Sequence, residues 1–210
     1  MDDSGLGRRG CISGPAVSAG STRIVKQLVI LSWRSVEMGV SRSTKMSFDA
    51  NLLISSSRIF AHESGHAIIA TLEAIEYRGI ACNKDEPQFS TLACLPRPPE
   101  ELSERDYSFL AAGVAAERIY CERRHEDEGG DDDRAYFNQP NAPDFETTVA
   151  AVCKILSARK ATIGFIVSAL KTKLKEVNFD CDRLPEIHVD GTRYALVLTD
   201  TELRDAVANH

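Results

Sequence analysis

The sequence predicts a mainly helical α+β fold built as one domain. Apolar residues recur at helical spacing in two long stretches, residues 59–75 and 149–174, as in amphipathic helices that bury one face. Short apolar stretches marked off by proline or by Asp-Gly occur within residues 79–99 and 187–198 and predict a few short strands. With 210 residues and 43% hydrophobic content, the chain can bury a substantial core, whereas a second complete domain is hard to fit.

Residues 1–45 differ in composition from the rest of the chain. They hold six of the thirteen glycines, with many serines and arginines, and show no sustained period. They carry seven Lys/Arg against three Asp/Glu, a balance of +4, whereas residues 46–210 carry 18 against 28, a balance of −10. We therefore expect a flexible N-terminal tail and one domain over residues 46–210, with translation starting at Met46. An organelle presequence is the alternative, and Asp2 and Asp3 argue against it.

Charge and cysteine content narrow the choice of binding partner and of cellular compartment. The acidic residues 46–210 argue against nucleic acid as a partner. The six cysteines form no C-x-x-C pair, and a chain of this length without a credible secretion signal is expected to keep reduced thiols in the cytoplasm. The apolar run at residues 24–33 is interrupted by Lys26 and Gln27 and is far shorter than the roughly 20 residues of a membrane span.

The N-terminal half of the domain is predicted as helix, strands, helix. The serines at residues 55–57 offer an N-cap for the first helix, which is expected to end near residues 77–79. One or two short strands follow, and Pro96 ends the second of them. Residues 103–106 resemble a helix start, and the small residues 111–116 at the centre of this second helix permit close approach of another helix.

The C-terminal half is predicted as a loop, helices and a hairpin. Residues 126–133 form an acidic, glycine-containing segment that predicts a solvated turn. Asp144 can cap a helix, and residues 163–174 continue the helical pattern. The Asp-Gly pair at positions 190–191 predicts a β-hairpin, and residues 199–202 can cap a short last helix.

The first helix carries His-Glu-Ser-Gly-His at positions 62–66. Residues i and i+4 share one helical face, so His62 and His66 lie close enough to bind one Zn²⁺. Glu63 would then lie beside the metal, where a carboxylate can take the proton of a zinc-bound water. Gly65 costs about 1 kcal/mol in a helix interior relative to alanine, which indicates a packing or functional reason for it. The alternative is a helix with two surface or core histidines and no metal.

A catalytic zinc ion needs a third protein ligand and an open position for water. The metzincin motif requires glycine at position 69 and histidine at position 72, where this chain has Ile69 and Leu72, so that class is excluded. A thermolysin-like site takes a glutamate from a following helix, and Glu117 is the plausible donor. An Asp-rich calcium loop at residues 131–133 lacks the alternation that such loops need.

Three blocks of sequence identify a resemblance to a known family. Residues 60–67 read FAHESGHA, residues 110–119 read LAAGVAAERI, and residues 128–133 read EGGDDD. In this order they resemble the His-Glu-Ala-Gly-His-Ala, Leu-Gly-Gly-Arg-Ala-Ala-Glu and Thr-Gly-Ala-Ser-Asn-Asp blocks of the FtsH-type zinc proteases, the M41 peptidase family. The resemblance implies that Asp133, which matches the last aspartate of the third block, is the third zinc ligand. Asp132 is the second choice for this ligand, because three consecutive aspartates allow the alignment of the third block to shift by one or two positions.

The resemblance implies a helical zinc-peptidase domain with a small β element near the active site. In it, His62, His66 and Asp133 hold Zn²⁺, and Glu63 activates a zinc-bound water that attacks a peptide carbonyl of a peptide or unfolded protein. Glu117 becomes an outer carboxylate that orients a ligating histidine, or else a surface carboxylate. Residues 90–96 would bind substrate as an added strand.

The chain also departs from the family pattern. FtsH-type enzymes carry a transmembrane anchor and an ATPase module ahead of the peptidase domain, and this sequence contains no G-x-x-x-x-G-K-[ST] phosphate loop and no spanning segment. We therefore expect a stand-alone, ATP-independent zinc metalloendopeptidase. The alternative is a catalytically inactive M41-like module that binds peptides or proteins without cutting them. His125 and His188 match none of the blocks and are expected to be surface residues.

Overall fold

The computed structural model describes residues 26–32, 50–85, 88–96, 101–121 and 130–210. The mainly helical α+β fold that the sequence predicts is confirmed. Within the described ranges the helices and strands are, in chain order, β1 (Lys26–Ser32), α1 (Ala50–Leu72), β2 (Tyr77–Asn83), β3 (Gln88–Pro96), α2 (Glu104–Tyr120), α3 (Asp131–Ala135), α4 (Phe145–Ser157), α5 (Lys160–Glu176), β4 (Glu186–Val189), β5 (Thr192–Thr199) and α6 (Asp200–Asn209). Short 3₁₀ turns follow α3 (Tyr136–Asn138) and precede β4 (Cys181–Arg183).

The strands form one antiparallel sheet in the order β1-β3-β2-β5-β4. The predicted C-terminal hairpin is confirmed as the pair β4 and β5. Its turn residues Asp190 and Gly191 have φ values of 48° and 83°. Tight hairpin turns of the commonest kind need positive φ at both central positions, which is why an Asp-Gly pair predicts them.

Strand β1 lies within the segment that the sequence predicts as a flexible tail. It pairs with β3 along its whole length, from Lys26 opposite Pro96 to Ser32 opposite Ser90. Because β2 pairs with the other edge of β3, a peptide added to β3 as an extra strand would have to take the place of β1. The rest of residues 1–45 lies outside the described residues, and a start at Met46 stays a prediction.

Helix α1 is the central helix of the fold. It packs against α2, α5 and α6 and against β2 and β3. Every residue from 60 to 70 is buried, so this part of the helix is enclosed on all faces and is not the amphipathic helix that the sequence predicts. At Gly65 a Cβ atom would overlap the carbonyl of Ala112 and would lie 2.6 Å from the Cβ of Ala116. The glycine therefore permits the close contact with α2 that the small residues of α2 predict.

The end of α1 differs from the prediction. The helix stops at Leu72 instead of near residues 77–79, because Ala74 adopts a left-handed φ of 52°. The N–H of Ile75 then donates to the carbonyl of Ala70 at 2.9 Å, as in a Schellman cap. Glycine usually occupies the left-handed position, so an alanine there carries no stop signal in the sequence.

The predicted N-cap of α1 at residues 55–57 is wrong, since the helix already begins at Ala50. Alanine and leucine at the preceding positions favour helix, and serine in a helix interior costs only tenths of a kcal/mol. The other predicted caps are confirmed, with Ser103, Asp144 and Thr199 at the N-cap positions of α2, α4 and α6.

Among the residues that the structure describes, none of the helices combines the length and apolarity that a membrane crossing demands.

Candidate metal centre

His62 and His66 of α1 and Asp133 of α3 converge in the interior. The two Nε2 atoms are 3.0 Å apart, and Asp133 Oδ2 lies 3.2 Å from Nε2 of His62 and 3.3 Å from Nε2 of His66. All three residues are at most 2% exposed. Tetrahedral zinc ligands, each about 2.0 to 2.1 Å from the ion, lie about 3.3 Å from one another. The three atoms are therefore spaced like ligands of a single ion, and the triad could hold one.

Helix α3 determines which aspartate joins the histidines. It begins at Asp131, directly after Gly130 with its left-handed φ of 97°, so the predicted solvated turn does not extend to residue 133. The three aspartates occupy the first turn of this helix, where the helix dipole favours carboxylates. Asp133 is buried, whereas Asp131 and Asp132 are exposed. The structure thus brings Asp133, and not the second choice Asp132, to the two histidines.

Each imidazole is held through its other ring nitrogen. His66 Nδ1 donates to the carbonyl oxygen of Phe109 at 2.7 Å, and His62 Nδ1 donates to Glu117 Oε1 at 2.7 Å. Because a carbonyl or carboxylate oxygen only accepts, each neutral ring carries its proton on Nδ1 and directs the Nε2 lone pair into the cluster. Metal-binding histidines ordinarily have such partners, which fix the tautomer and the ring orientation.

Glu117 is buried at 1% exposure, so the alternative of a surface carboxylate is wrong. Its Oε1 contacts Nδ1 of His62, the nitrogen that faces away from the cluster, and its Oε2 lies 3.2 Å from Nε of Arg58. Glu117 therefore orients His62 and is not placed as the third ligand of a thermolysin-like site. The arrangement agrees with the prediction of an outer carboxylate.

The cluster needs a positive charge at its centre. With neutral rings, the lone pairs of two Nε2 atoms and a carboxylate oxygen would face one another, and neither oxygen of Asp133 has a well-aligned hydrogen-bond donor among the described residues. Such unpartnered buried acceptors are costly, and a proton or a metal ion removes the cost. Without metal a proton does so: burial favours the neutral form of His62, but contacts with Asp133 and Glu117 outweigh it and raise its pKa to about 10.

The pKa of Asp133 moves in the opposite direction. Burial favours its neutral form, but the charges and hydrogen-bonding contacts of His66 and His62 outweigh burial and lower the pKa to about 2. Asp133 is therefore a carboxylate at neutral pH. This is the form that a metal ligand requires.

Glu63 is fully buried beside the triad. Its Oε2 accepts a hydrogen bond from Thr91 Oγ1 at 2.8 Å, and its Oε1 has no hydrogen-bond partner among the described residues. Burial raises the pKa of Glu63, and the charges of His62 and His66 act against that rise. A carboxylate with a raised pKa and one unpartnered oxygen has the properties of a general base.

Helix α2 passes His62 at Gly113. A Cβ atom at this position would lie 2.5 Å from Cδ2 of His62 and closer still to Cε1 and Nε2. A hydrogen is therefore the only side chain that fits between the helix and the ring. The small residues 111–116, predicted as a surface for close helix packing, also make room for a candidate metal ligand.

Three contacts of the site were not predicted from the sequence: those of Gly113, Thr91 and Arg58. The signal that singled out Gly65, a glycine in a helix interior, is equally present at Gly113. Thr91 and Arg58 have no such mark, because their roles depend on tertiary contacts. His188 lies on β4 with a 65% exposed side chain, as expected of a surface residue, and its Nε2 is 3.0 Å from Glu186. The prediction for His125 falls outside the described residues.

Comparisons of this chain with protein-family models, with curated proteins and with solved structures found no match. The chemistry of the site itself is therefore the basis for assigning a function.

Proposed function

We propose that this protein is a zinc-dependent metallopeptidase of the M41 type that hydrolyses peptide bonds without ATP. The observation that carries the proposal is the convergence of His62, His66 and Asp133, with ligand atoms 3.0 to 3.3 Å apart, next to the buried Glu63. Three protein ligands drawn from histidine and carboxylate, with a fourth position left open, are typical of catalytic zinc. Bound zinc would supply a Lewis acid and lower the pKa of a water in the open position.

The residues around the triad have the properties that this reaction requires. Glu63 Oε1 has no partner within the part of the chain that the structure describes and can accept the proton of the attacking water, while Thr91 holds Oε2. A raised pKa helps the carboxyl group to keep that proton until it passes to the leaving amine. Glu117 and the Phe109 carbonyl keep the Nε2 lone pairs directed at the metal position.

The M41 resemblance supports the same function. The first block of sequence supplies His62 and His66, the second supplies Glu117, and the third supplies Asp133. These blocks are far apart in the chain, yet their matching residues meet at one buried point. Such a meeting is expected if the blocks form one site and would be fortuitous if each resembled the family by chance.

A second candidate is a catalytically inactive M41-like module, and the burial of the site favours it. His62, Glu63, His66 and Asp133 are all 0 to 2% exposed, so the site offers little accessible surface to a peptide substrate. In addition, both edges of β3 are paired, so a peptide has no free edge of that strand to join.

Zinc content and casein hydrolysis, measured on the same preparations, separate these functions. We expect about one zinc per chain, and cleavage of unfolded casein that a chelator abolishes and added zinc restores. Glu63→Gln should retain zinc and lose hydrolysis, whereas Glu104→Gln, at an exposed position of α2, should retain both. Zinc-loaded wild type that leaves casein intact would favour the inactive module. A folded wild type that takes up no zinc would contradict the metallopeptidase and leave the inactive module.

A further inference from the structure

Outside the metal centre, two cysteine thiols form a second group of chemical interest. They belong to Cys82 of β2 and to Cys181 of the 3₁₀ turn before β4. Each of the two thiols shifts the pKa of the other, so the two side chains lie close together, and both cysteines are unbridged. Cys82 Sγ also lies 3.5 Å from the carbonyl oxygen of Asn83. Residues about 100 positions apart in sequence thus bring two sulfur atoms together.

Ion pairs hold the two segments in this arrangement. Lys84, two residues after Cys82, lies 2.9 Å from Asp182 and 2.6 Å from Glu186. Asp182 directly follows Cys181, so the lysine ties the end of β2 to the turn that carries the second thiol. The contact between the sulfur atoms is therefore a consequence of how β2, the turn and β4 are joined.

The two thiols differ in access and in acidity. Cys82 is 1% exposed, whereas Cys181 is partly exposed. The neighbouring Cys82 thiol lowers the pKa of Cys181 despite its partial burial, and the same neighbour contact, together with burial, raises the pKa of Cys82. An accessible cysteine next to a buried second cysteine that can resolve it is typical of cysteines that react with peroxides.

We propose that Cys82 and Cys181 are an oxidative modification site and form a disulfide when the protein meets a peroxide. The Cys181 thiolate attacks one peroxide oxygen: an S–O bond forms, the O–O bond breaks, and the departing hydroxide takes up a proton to become water. Cys82 sulfur then attacks the sulfenic acid of Cys181: the S–S bond forms, the S–O bond breaks, and the departing hydroxide takes the Cys82 proton as a second water. Two thiols are oxidised and one peroxide is reduced to two waters.

The bridge would tie β2 to the segment that follows α5. It would close a loop of about 100 residues, which includes α2 and the helix that carries Asp133. A disulfide across a long loop restricts the unfolded chain, so the oxidised protein should melt several degrees above the reduced protein. This effect depends on neither zinc nor hydrolysis.

Mass spectrometry of the full chain after treatment with an equivalent of hydrogen peroxide tests the proposal. We expect a loss of two hydrogen masses that a reductant reverses, and a peptide map that joins Cys82 to Cys181. Cys153→Ser is the matched control, at a partly buried cysteine of α4, and should retain this bridge. Cys181→Ser should lose the bridge and the rise in melting temperature.

Trapping with dimedone, which labels sulfenic acids, tests the order of the two steps. In Cys82→Ser, Cys181 should stay at the sulfenic acid stage and become labelled, whereas in Cys181→Ser the buried Cys82 should stay unlabelled. The proposal is overturned if folded wild type keeps its mass in excess peroxide or if the disulfide joins any other cysteines. Labelling of Cys82 in preference to Cys181 would overturn it as well.

Discussion

His62 donates from Nδ1 to Oε1 of Glu117 across 2.7 Å, and this buried contact links the helix of the metal motif to the helix that follows the strands. The other carboxylate oxygen of Glu117 faces Arg58 at 3.2 Å. Glu117 therefore has one oxygen for the imidazole and one for a guanidinium. The direction of the Nε2 lone pair of His62 depends on a residue that does not itself face the metal position.

Replacing Glu117 tests this dependence. Outer partners of metal-binding histidines typically contribute 10-fold to 100-fold to metal affinity, so Glu117→Leu should weaken zinc binding by about that factor. Glu117→Gln keeps an acceptor for Nδ1 and should have a smaller effect. Competition with a chelator measures the zinc Kd, and Glu104→Gln is the control. Equal Kd values for wild type and Glu117→Leu would show that Glu117 does not position His62.

Gly113 is predicted to be essential for the position of the His62 ring. A Cβ at Gly113 would overlap that ring, so Gly113→Ala must displace either the imidazole or α2. We expect weaker zinc binding and a free energy of unfolding lowered by about 1 to 3 kcal/mol, as for other overpacked interiors. Urea unfolding of metal-free protein measures the second effect separately from the first.

Gly164→Ala is the matched control for that experiment. It lies in α5, and apart from its chain neighbours and its own helix backbone, no atom of the described residues lies within 4 Å of the Cβ that alanine would add. Alanine should therefore raise the free energy of unfolding by about 0.5 to 1 kcal/mol through helix propensity and leave the zinc Kd unchanged. The two substitutions have opposite expected signs, and a Gly113→Ala protein that binds zinc like wild type would refute the steric role of Gly113.

Much of the site could be predicted because its strongest signals are local. His62, Glu63 and His66 stand at a fixed helical spacing, and Asp133 follows from a short block of sequence. The hydrogen bond from Thr91 to Glu63 and the ion pair of Arg58 with Glu117 instead join residues that no local pattern connects. Such partners emerge only when β3 and α2 pack against α1.

The prediction that α1 is amphipathic is wrong for a physical reason that lies in the helix itself. His62, Glu63 and His66 resemble the polar face of an amphipathic helix, but all three are buried, as is Ser64. Their polar atoms are accommodated by partners inside the protein; for example, Ser64 Oγ donates to the Phe60 carbonyl at 2.6 Å. A polar stripe built for chemistry and one built for solvent have the same periodicity, so the sequence pattern alone could not distinguish them.

The choice between adjacent aspartates is open to a direct test. Asp133→Asn removes the charge of the buried carboxylate. Loss of a residue that only orients a ligand lowers metal affinity by up to about 100-fold, so loss of this ligand should weaken zinc binding by at least about that factor. Asp132→Asn changes an exposed neighbour in the same helical turn and should leave the zinc Kd within about twofold of wild type. The reverse result would move the ligand to Asp132 and contradict the geometry of α3.

Zinc binding is predicted to depend on pH because protons compete for His62. Burial favours the neutral ring, but Asp133 and Glu117 raise its pKa to about 10 in the absence of metal, so the ring must lose a proton when zinc binds at neutral pH. Zinc affinity should therefore rise about tenfold for each pH unit across the neutral range and fall as the solution is acidified. Chelator competition at several pH values measures this slope, and a flat profile would contradict it.

The same proton gives the metal-free protein a stability that is lost at high pH. The folded-state pKa of His62, about 10, lies above the ordinary value of 6.5, so the stabilisation is complete below about pH 6.5 and disappears as the pH rises through 10. Chelator-treated wild type should melt at progressively lower temperature over this interval. His62→Gln, which has no proton to lose there, should show a smaller decrease. If wild type and His62→Gln had parallel profiles, the cluster would not hold the proton that its geometry requires.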